Sequence, residues 1–173
     1  MQQTILTLGA LMIITMTSVN QQRSNFMIME STYLREFESA AYDYANKRIE
    51  SITNSYAYDE SVAGDPDAEV DLATLTAAAS FGKDAGEADE DSFDDLDDFH
   101  DLEEEIRHGL SADSFNSVVT YTIRYVDPSN PSAVSASASM AKEITVNVAS
   151  ADTIGVKVAK YSKSKITLAS DTN

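Results

Sequence analysis

MQQTILTLGALMIITMTSVN, residues 1–20, decides the fold of this chain. Ile5–Val19 carries no charge and no strong helix breaker except Gly9. Fifteen residues fall short of the roughly 20 that span a bilayer. The uncharged Met1–Thr4 extends the run to 19, about 28 Å at ~1.5 Å per residue, which suffices for a span with little tilt. The chain then runs to Pro66 without a proline. Polar residues fill positions 20–25. After them Leu34, Phe37, Ala41, Ala45, Ile49, Ile52 and Tyr56 recur at steps of three and four, the period of one helix face. Glu36, Glu38, Asp43, Lys47 and Glu50 fall mostly on the other side. The pattern predicts one helix from Met1 to about Tyr58, roughly 80 Å long. A domain of ordinary size cannot bury that length, so the apolar half must project. A projecting apolar rod needs lipid or neighbouring subunits to cover it.

Three readings compete for the N-terminal stretch: a cleaved secretory signal, a simple membrane anchor, and a polymerisation helix buried first in a membrane and then in a filament core. The signal reading lacks a Lys or Arg ahead of the apolar run and a small-x-small cleavage site after Val19. The amphipathic continuation beyond the membrane edge favours polymerisation over a bare anchor.

Working outward, the charge is unevenly placed. Net charge is −17, with two histidines and no cysteine or tryptophan. Residues 1–58 are close to neutral, whereas residues 59–105 hold nineteen acids against one base, Lys83. Residues 106–173 carry five acids and seven bases. Such a surface repels nucleic acid and anionic membranes. Without cysteine there are no disulfides, thiolate nucleophiles or Cys-zinc sites.

In the acidic middle, Gly64-Asp65-Pro66-Asp67 signals a turn. Glu69–Ser80 reads as a short helix with Val70, Leu72 or Ala73, and Leu75 facing the domain. Phe93, Leu96, Phe99 and Leu102 punctuate the acids that follow at intervals of three, like anchors. Asp94, Asp95, Asp97, Asp98 and Asp101 form the densest cluster, with no local base. Five carboxylates this close repel one another unless cations join them or water separates them. Hard oxygen ligands at short spacing suit Ca²⁺, which takes six to eight oxygens at about 2.3–2.6 Å. The same run also fits a solvated acidic loop. It does not follow the EF-hand pattern, because the sixth position from Asp95 is His100 and the twelfth is Ile106. Glu103–Glu105 and Ile106–His108 read as a short helix closed by Gly109, and His100 as a surface-loop histidine.

The C-terminal part reads as strands. Val119, Tyr121, Ile123 and Tyr125 alternate onto one face, as do Ile144, Val146 and Val148, and Ile154, Val156 and Val158. Ile166 and Leu168 mark a fourth strand. Asp127–Ser132 is a turn or loop, and Ser135–Ser139 a flexible connection. Short connections imply an antiparallel meander, whose apolar face the Leu34–Tyr56 stripe is available to cover. Lys157, Lys160, Lys163 and Lys165 either guard a strand edge or meet the acidic middle of a neighbouring subunit. The fold expected is therefore α+β: a long N-terminal helix with a projecting apolar half, packed against a small antiparallel β-sheet, with an acidic loop region between. Its parts are residues 1–25, 26–58, 59–113 and 114–173.

This layout resembles the type IV pilins and pseudopilins, with Met1–Val19 as the apolar half-helix, Tyr33–Tyr58 as the amphipathic half and Asn116–Leu168 as the sheet. The family carries a Glu soon after its processed N-terminus. This chain has no acid before Glu30, so that residue's role has no counterpart here. The resemblance implies a homo-oligomer: a helical extracellular filament on the cell surface, built through the N-terminal helices of subunits held in the membrane before assembly. The alternative is a bitopic membrane protein whose acidic domain binds a cation or partner outside the cell. No G-x-S-x-G, P-loop, G-x-G-x-x-G or H-E-x-x-H motif is present. The expectation is a structural protein and not an enzyme.

Overall fold

The computed structural model describes residues 2–62, 70–108, 115–151 and 159–169. Among these residues one α-helix, α1 (Gln2–Ser55), precedes five strands: β1 (Glu103–His108), β2 (Phe115–Asp127), β3 (Asn130–Val134), β4 (Ala141–Ser150) and β5 (Lys160–Leu168). The fold is α+β, as the sequence predicts. Among the described strands every pairing is antiparallel, in the order β1-β2-β4-β5, and β3 pairs with the far end of β2.

The amphipathic stripe of α1 covers the sheet. Phe37, Ala41, Ala45, Ile49 and Ile52 are buried, with Leu34 and Tyr56 at the margin. Opposite them lie Val119, Tyr121, Ile123 and Tyr125 of β2 and Ile144, Val146 and Val148 of β4. The register pairs Val119 with Val148, Tyr121 with Val146 and Ile123 with Ile144, so large side chains stand side by side under the helix. Small residues at 41 and 45 let the helix approach the sheet closely. A fully buried Phe or Ile contributes ~1.5–3 kcal/mol relative to exposure, so this face holds α1 in place.

The acidic middle packs as a third layer of irregular chain. Phe93, Leu96 and Phe99 are buried and Leu102 is partly so, which bears out their reading as anchors. Phe99 meets Tyr56, Phe93 and Tyr121 edge-on or tilted, at ring separations of 4.8–6.0 Å. The backbone of this segment is tied to the exit of α1: Ala57 N–H donates to Asp94 O at 3.2 Å and Leu96 N–H to Ala57 O at 3.0 Å. Arg48 closes the side. Its guanidinium grips Glu90 through both nitrogens, at 2.8 and 2.5 Å, and Nε donates to the Tyr121 hydroxyl at 2.8 Å.

The structure departs from the sequence reading in several places. Glu103–His108 is not a helix but strand β1, paired with residues 115–120 of β2. Helix propensity in a Glu run is weak beside a ladder of backbone bonds offered by a neighbouring edge. The acidic middle thus supplies a strand to the sheet, across the boundary expected near residue 113. Residues 70–80 form turns and a single 3-10 turn (Ala78–Ser80) in place of a short helix, with Leu75 buried and Leu72 exposed. The expected loop 127–132 includes a turn at Pro128–Ser129, after which β3 begins at Asn130. Ile166 and Leu168 do lie on a strand, but they face outward at 37% and 39% exposure. The strand expected around Ile154, Val156 and Val158, together with Lys157, falls outside the described residues, as does Gly109.

Candidate functional site: an uncovered apolar helix and a lysine ringed by acids

Two features stand out from ordinary packing. The first is the free half of α1. Residues 3–29 are exposed throughout. Thirteen large apolar side chains, from Ile5 to Met29, are each 55–75% exposed. That exceeds the roughly 300–600 Å² of the largest apolar patch on a typical monomer. At 100° per residue these side chains point in all directions, so no single face could be turned to water. Three threonines of the segment bond their hydroxyls within the helix. The hydroxyls of Thr7, Thr15 and Thr17 donate back to the carbonyls of Gln3, Leu11 and Ile13, at 2.7, 3.1 and 2.5 Å. A helix that satisfies its own polar groups is suited to a dry environment. α1 is long and apolar enough to cross a membrane. A second apolar band, Phe26–Met29, lies beyond the polar neck Asn20–Asn25, about 10–15 Å past Val19. Periodicity did not single out that band, because its four residues wrap the whole helix.

The second feature is Lys142. It sits on β4 in phase with Ile144, Val146 and Val148, opposite Tyr125, and is completely buried. Its Nζ donates to Asp97 Oδ1 at 2.6 Å and to Tyr58 O at 2.5 Å, and lies 3.5 Å from Asp59 Oδ2. The rings of Tyr58, Phe81 and Tyr125 surround it, with centroids 4.7, 5.2 and 5.5 Å from Nζ.

The five aspartates of the acidic run part company around this lysine. Asp97 faces Nζ, and Asp95, Asp97 and Asp59 bring carboxylate oxygens within 4.8 Å of one another. Asp95 and Asp59 also anchor backbone. Asp95 accepts from Glu60 N–H and Asp97 N–H, each at 2.8 Å, and Asp59 from Thr76 N–H at 2.8 Å. Asp94 and Asp98 turn to the other side, where they meet Glu87. Asp98 Oδ2 accepts the N–H groups of Asp94 and Asp95 at 3.1 and 3.2 Å. Asp101 stands apart, its side chain 87% exposed, with a left-handed φ of 59°. His100, expected on the surface, is half-buried and accepts the Ile123 N–H at Nδ1, 3.0 Å. The run is therefore held largely by aspartates bonding nearby backbone, a use for which Asp is well shaped.

The sequence reading missed Lys142, Asp59 and Glu87. For Lys142 a signal existed: the alternation that turns Ile144 inward turns Lys142 inward as well. Asp59 is brought in by a chain reversal far from the run, whereas Glu87 precedes Asp94 by seven positions and carried no periodic signal. Lys163 and Lys165 of β5 also belong to this chain's own packing. Lys165 Nζ donates to Thr53 Oγ1 at 2.9 Å, and Lys163 lies over the Tyr42 ring.

The acids divide by environment. Burial works against charge on Asp59, but the Ser61 hydroxyl, the Thr76 N–H and Lys142 together hold its carboxyl below the usual range. Burial, then a hydrogen bond and charge from Asp97, pushes Asp95 up to about 8. Burial and a hydrogen bond with Glu87 push Asp98 up to about 7. A raised carboxyl binds a proton in the native state that the unfolded chain has already released. Stability therefore falls as pH rises from about 4 to about 8, by up to about 1.4 kcal/mol per pH unit for each group. Asp59 and Glu90, which are lowered, act oppositely and only below about pH 4. Thermal melts of the detergent-solubilised full chain should show a higher Tm at pH 6 than at pH 8. A Tm that rises over that interval would contradict this assignment.

Comparisons with protein-family models, with curated proteins and with solved structures find no match.

Proposed function

We propose that this chain is the structural subunit of a helical, pilus-like extracellular filament, which polymerises through its apolar N-terminal helix after a membrane-inserted stage. The observation that carries this is the free half of α1, apolar on every side and uncovered by its own domain. Lipid can cover Met1–Val19. The second band, Phe26–Met29, lies past the polar neck and Arg23, beyond the hydrocarbon of a bilayer that holds the first. Neighbouring copies of α1, packed side by side, would cover both bands. Gly9, with nothing within 4 Å of where a Cβ would stand, and Ala10 permit close approach of helices.

Electron microscopy of sheared cell-surface material tests the proposal. Filaments containing this chain support it, and a chain found only as a detergent-soluble monomer rejects it. The bitopic alternative draws on the length of the first band, which matches one span. Fractionation separates the two, because filaments pellet from detergent-free medium and a bitopic monomer stays with the membrane.

Calcium enters this proposal through Glu87, Asp94 and Asp98, since Asp97 already has an ammonium beside it and Asp95 is taken up by the backbone N–H groups of Glu60 and Asp97. A weak extracellular site, with Kd around 10⁻⁴–10⁻³ M, would stabilise the fold by about 1–2 kcal/mol in millimolar calcium. Melting the full chain in calcium and in chelator, at matched ionic strength, should raise Tm only in calcium. Coincident melts would remove the cation from the proposal.

A further inference from the structure

The contact between Lys142 and Asp97 has the features of a reaction site as well as of an ion pair. A primary amine and a carboxyl lie 2.6 Å apart, with side-chain exposures of 0% and 5%. Both are fixed from several sides. Nζ is aimed by the Tyr58 carbonyl and walled by three rings. The Asp97 backbone is pinned by His100 N–H and Gly82 N–H on its carbonyl, at 2.9 and 3.0 Å, and by its own N–H on Asp95. Holding the two in one geometry turns a slow bimolecular condensation into an intramolecular one of high effective concentration. Two further carboxyls, Asp59 and Asp95, stand within proton-transfer reach.

We propose that Lys142 and Asp97 become joined by an intramolecular isopeptide bond once the chain has folded. The step balances without any co-reactant. A proton moves from Nζ to the Asp97 carboxylate along their hydrogen bond, leaving a neutral amine and a carboxylic acid. The nitrogen lone pair attacks Cγ, and the C–N bond forms. Asp59, beside Nζ, takes a proton from the nitrogen. Asp95 supplies one to the departing oxygen, which leaves as water. A proton passing from Asp59 to Asp95 restores both acids. The product is a secondary amide and one water. The bond ties the acidic middle to β4 across 45 positions of sequence, in a chain that has no cysteine with which to make a disulfide.

Intact-mass spectrometry of the full chain, purified in detergent, tests this. The expected mass is one water below that of the sequence. Tryptic digestion should yield a branched peptide joining the Asp97 and Lys142 segments, with no cleavage after Lys142. Lys142→Arg, checked for a cooperative melt, should return the mass to the sequence value. Should that variant fail to fold, the branched peptide of the wild-type chain decides alone. A wild-type chain with a cooperative melt and full sequence mass overturns the proposal. So does a water loss that maps away from these two residues or survives Lys142→Arg.

Discussion

Leu11→Asp is expected to abolish filament assembly while leaving the sheet domain folded. Leu11 is 63% exposed in the middle of the first apolar band and touches nothing in its own domain. The domain's core begins about 26 residues further on, at Phe37, so its stability should not register the change. A carboxylate at the centre of an apolar helix costs about 2.5–3.5 kcal/mol on insertion scales. In a helical polymer every subunit carries that cost, and like charges also face one another along the core, so assembly is lost rather than weakened. Negative-stain microscopy and pelleting read the polymer, and circular dichroism of the detergent-solubilised chain reads the fold. Phe26→Asp separates the two functional readings. It leaves the first band intact for membrane insertion yet places a charge where only subunit contacts would bury it. Under the filament proposal it blocks the polymer with insertion unchanged. Normal filaments from either variant would contradict the model.

Measured against the folded chain in which Lys142 and Asp97 are still an ion pair, Lys142→Met is expected to destabilise the domain by about 3–5 kcal/mol, the usual cost of removing one partner from a buried charge pair; against a chain in which the two are joined, the loss is larger. The methionine fits the slot and keeps contact with Tyr58, Phe81 and Tyr125. The loss therefore comes from Asp97 and Asp59, left buried without the ammonium, and from the Tyr58 carbonyl, left without its donor. Against a total of about 5–15 kcal/mol for a domain, this should lower Tm by about 10 °C or more. Acid should restore part of it, because a carboxyl that takes up a proton is no longer an orphaned charge. Adding Asp97→Asn to Lys142→Met should recover stability for the same reason. A Lys142→Met chain that melts like the wild type would show that the aspartates, not the lysine, hold this corner.

Much of this architecture is legible in the chain because it follows from short-range periodicity. The step of three and four from Leu34 to Tyr56 and the alternation in β2 and β4 each depend only on local geometry, and the structure has both as read. The Phe93, Leu96 and Phe99 anchors were visible for a related reason: large apolar residues among acids have nowhere else to go. β1 was misread because a Glu-rich hexapeptide carries no strand signal of its own. Its conformation is imposed by the free edge of β2.

What the amino-acid sequence determined by itself is the division of labour: an uncovered apolar rod, an amphipathic helix that covers a sheet, and an acidic stretch pinned by aromatic anchors. Each of these is a property of neighbours along the chain. Only the tertiary structure decided how the aspartates are held. Asp97 and Lys142 are 45 positions apart, and Asp59 and Thr76 approach from two other segments. The energy of a buried charge depends on what surrounds it in space, and spacing along the chain carries no record of that. The acidic run looked like a cluster in want of a cation because its own neighbourhood has none. Folding brings one in from β4.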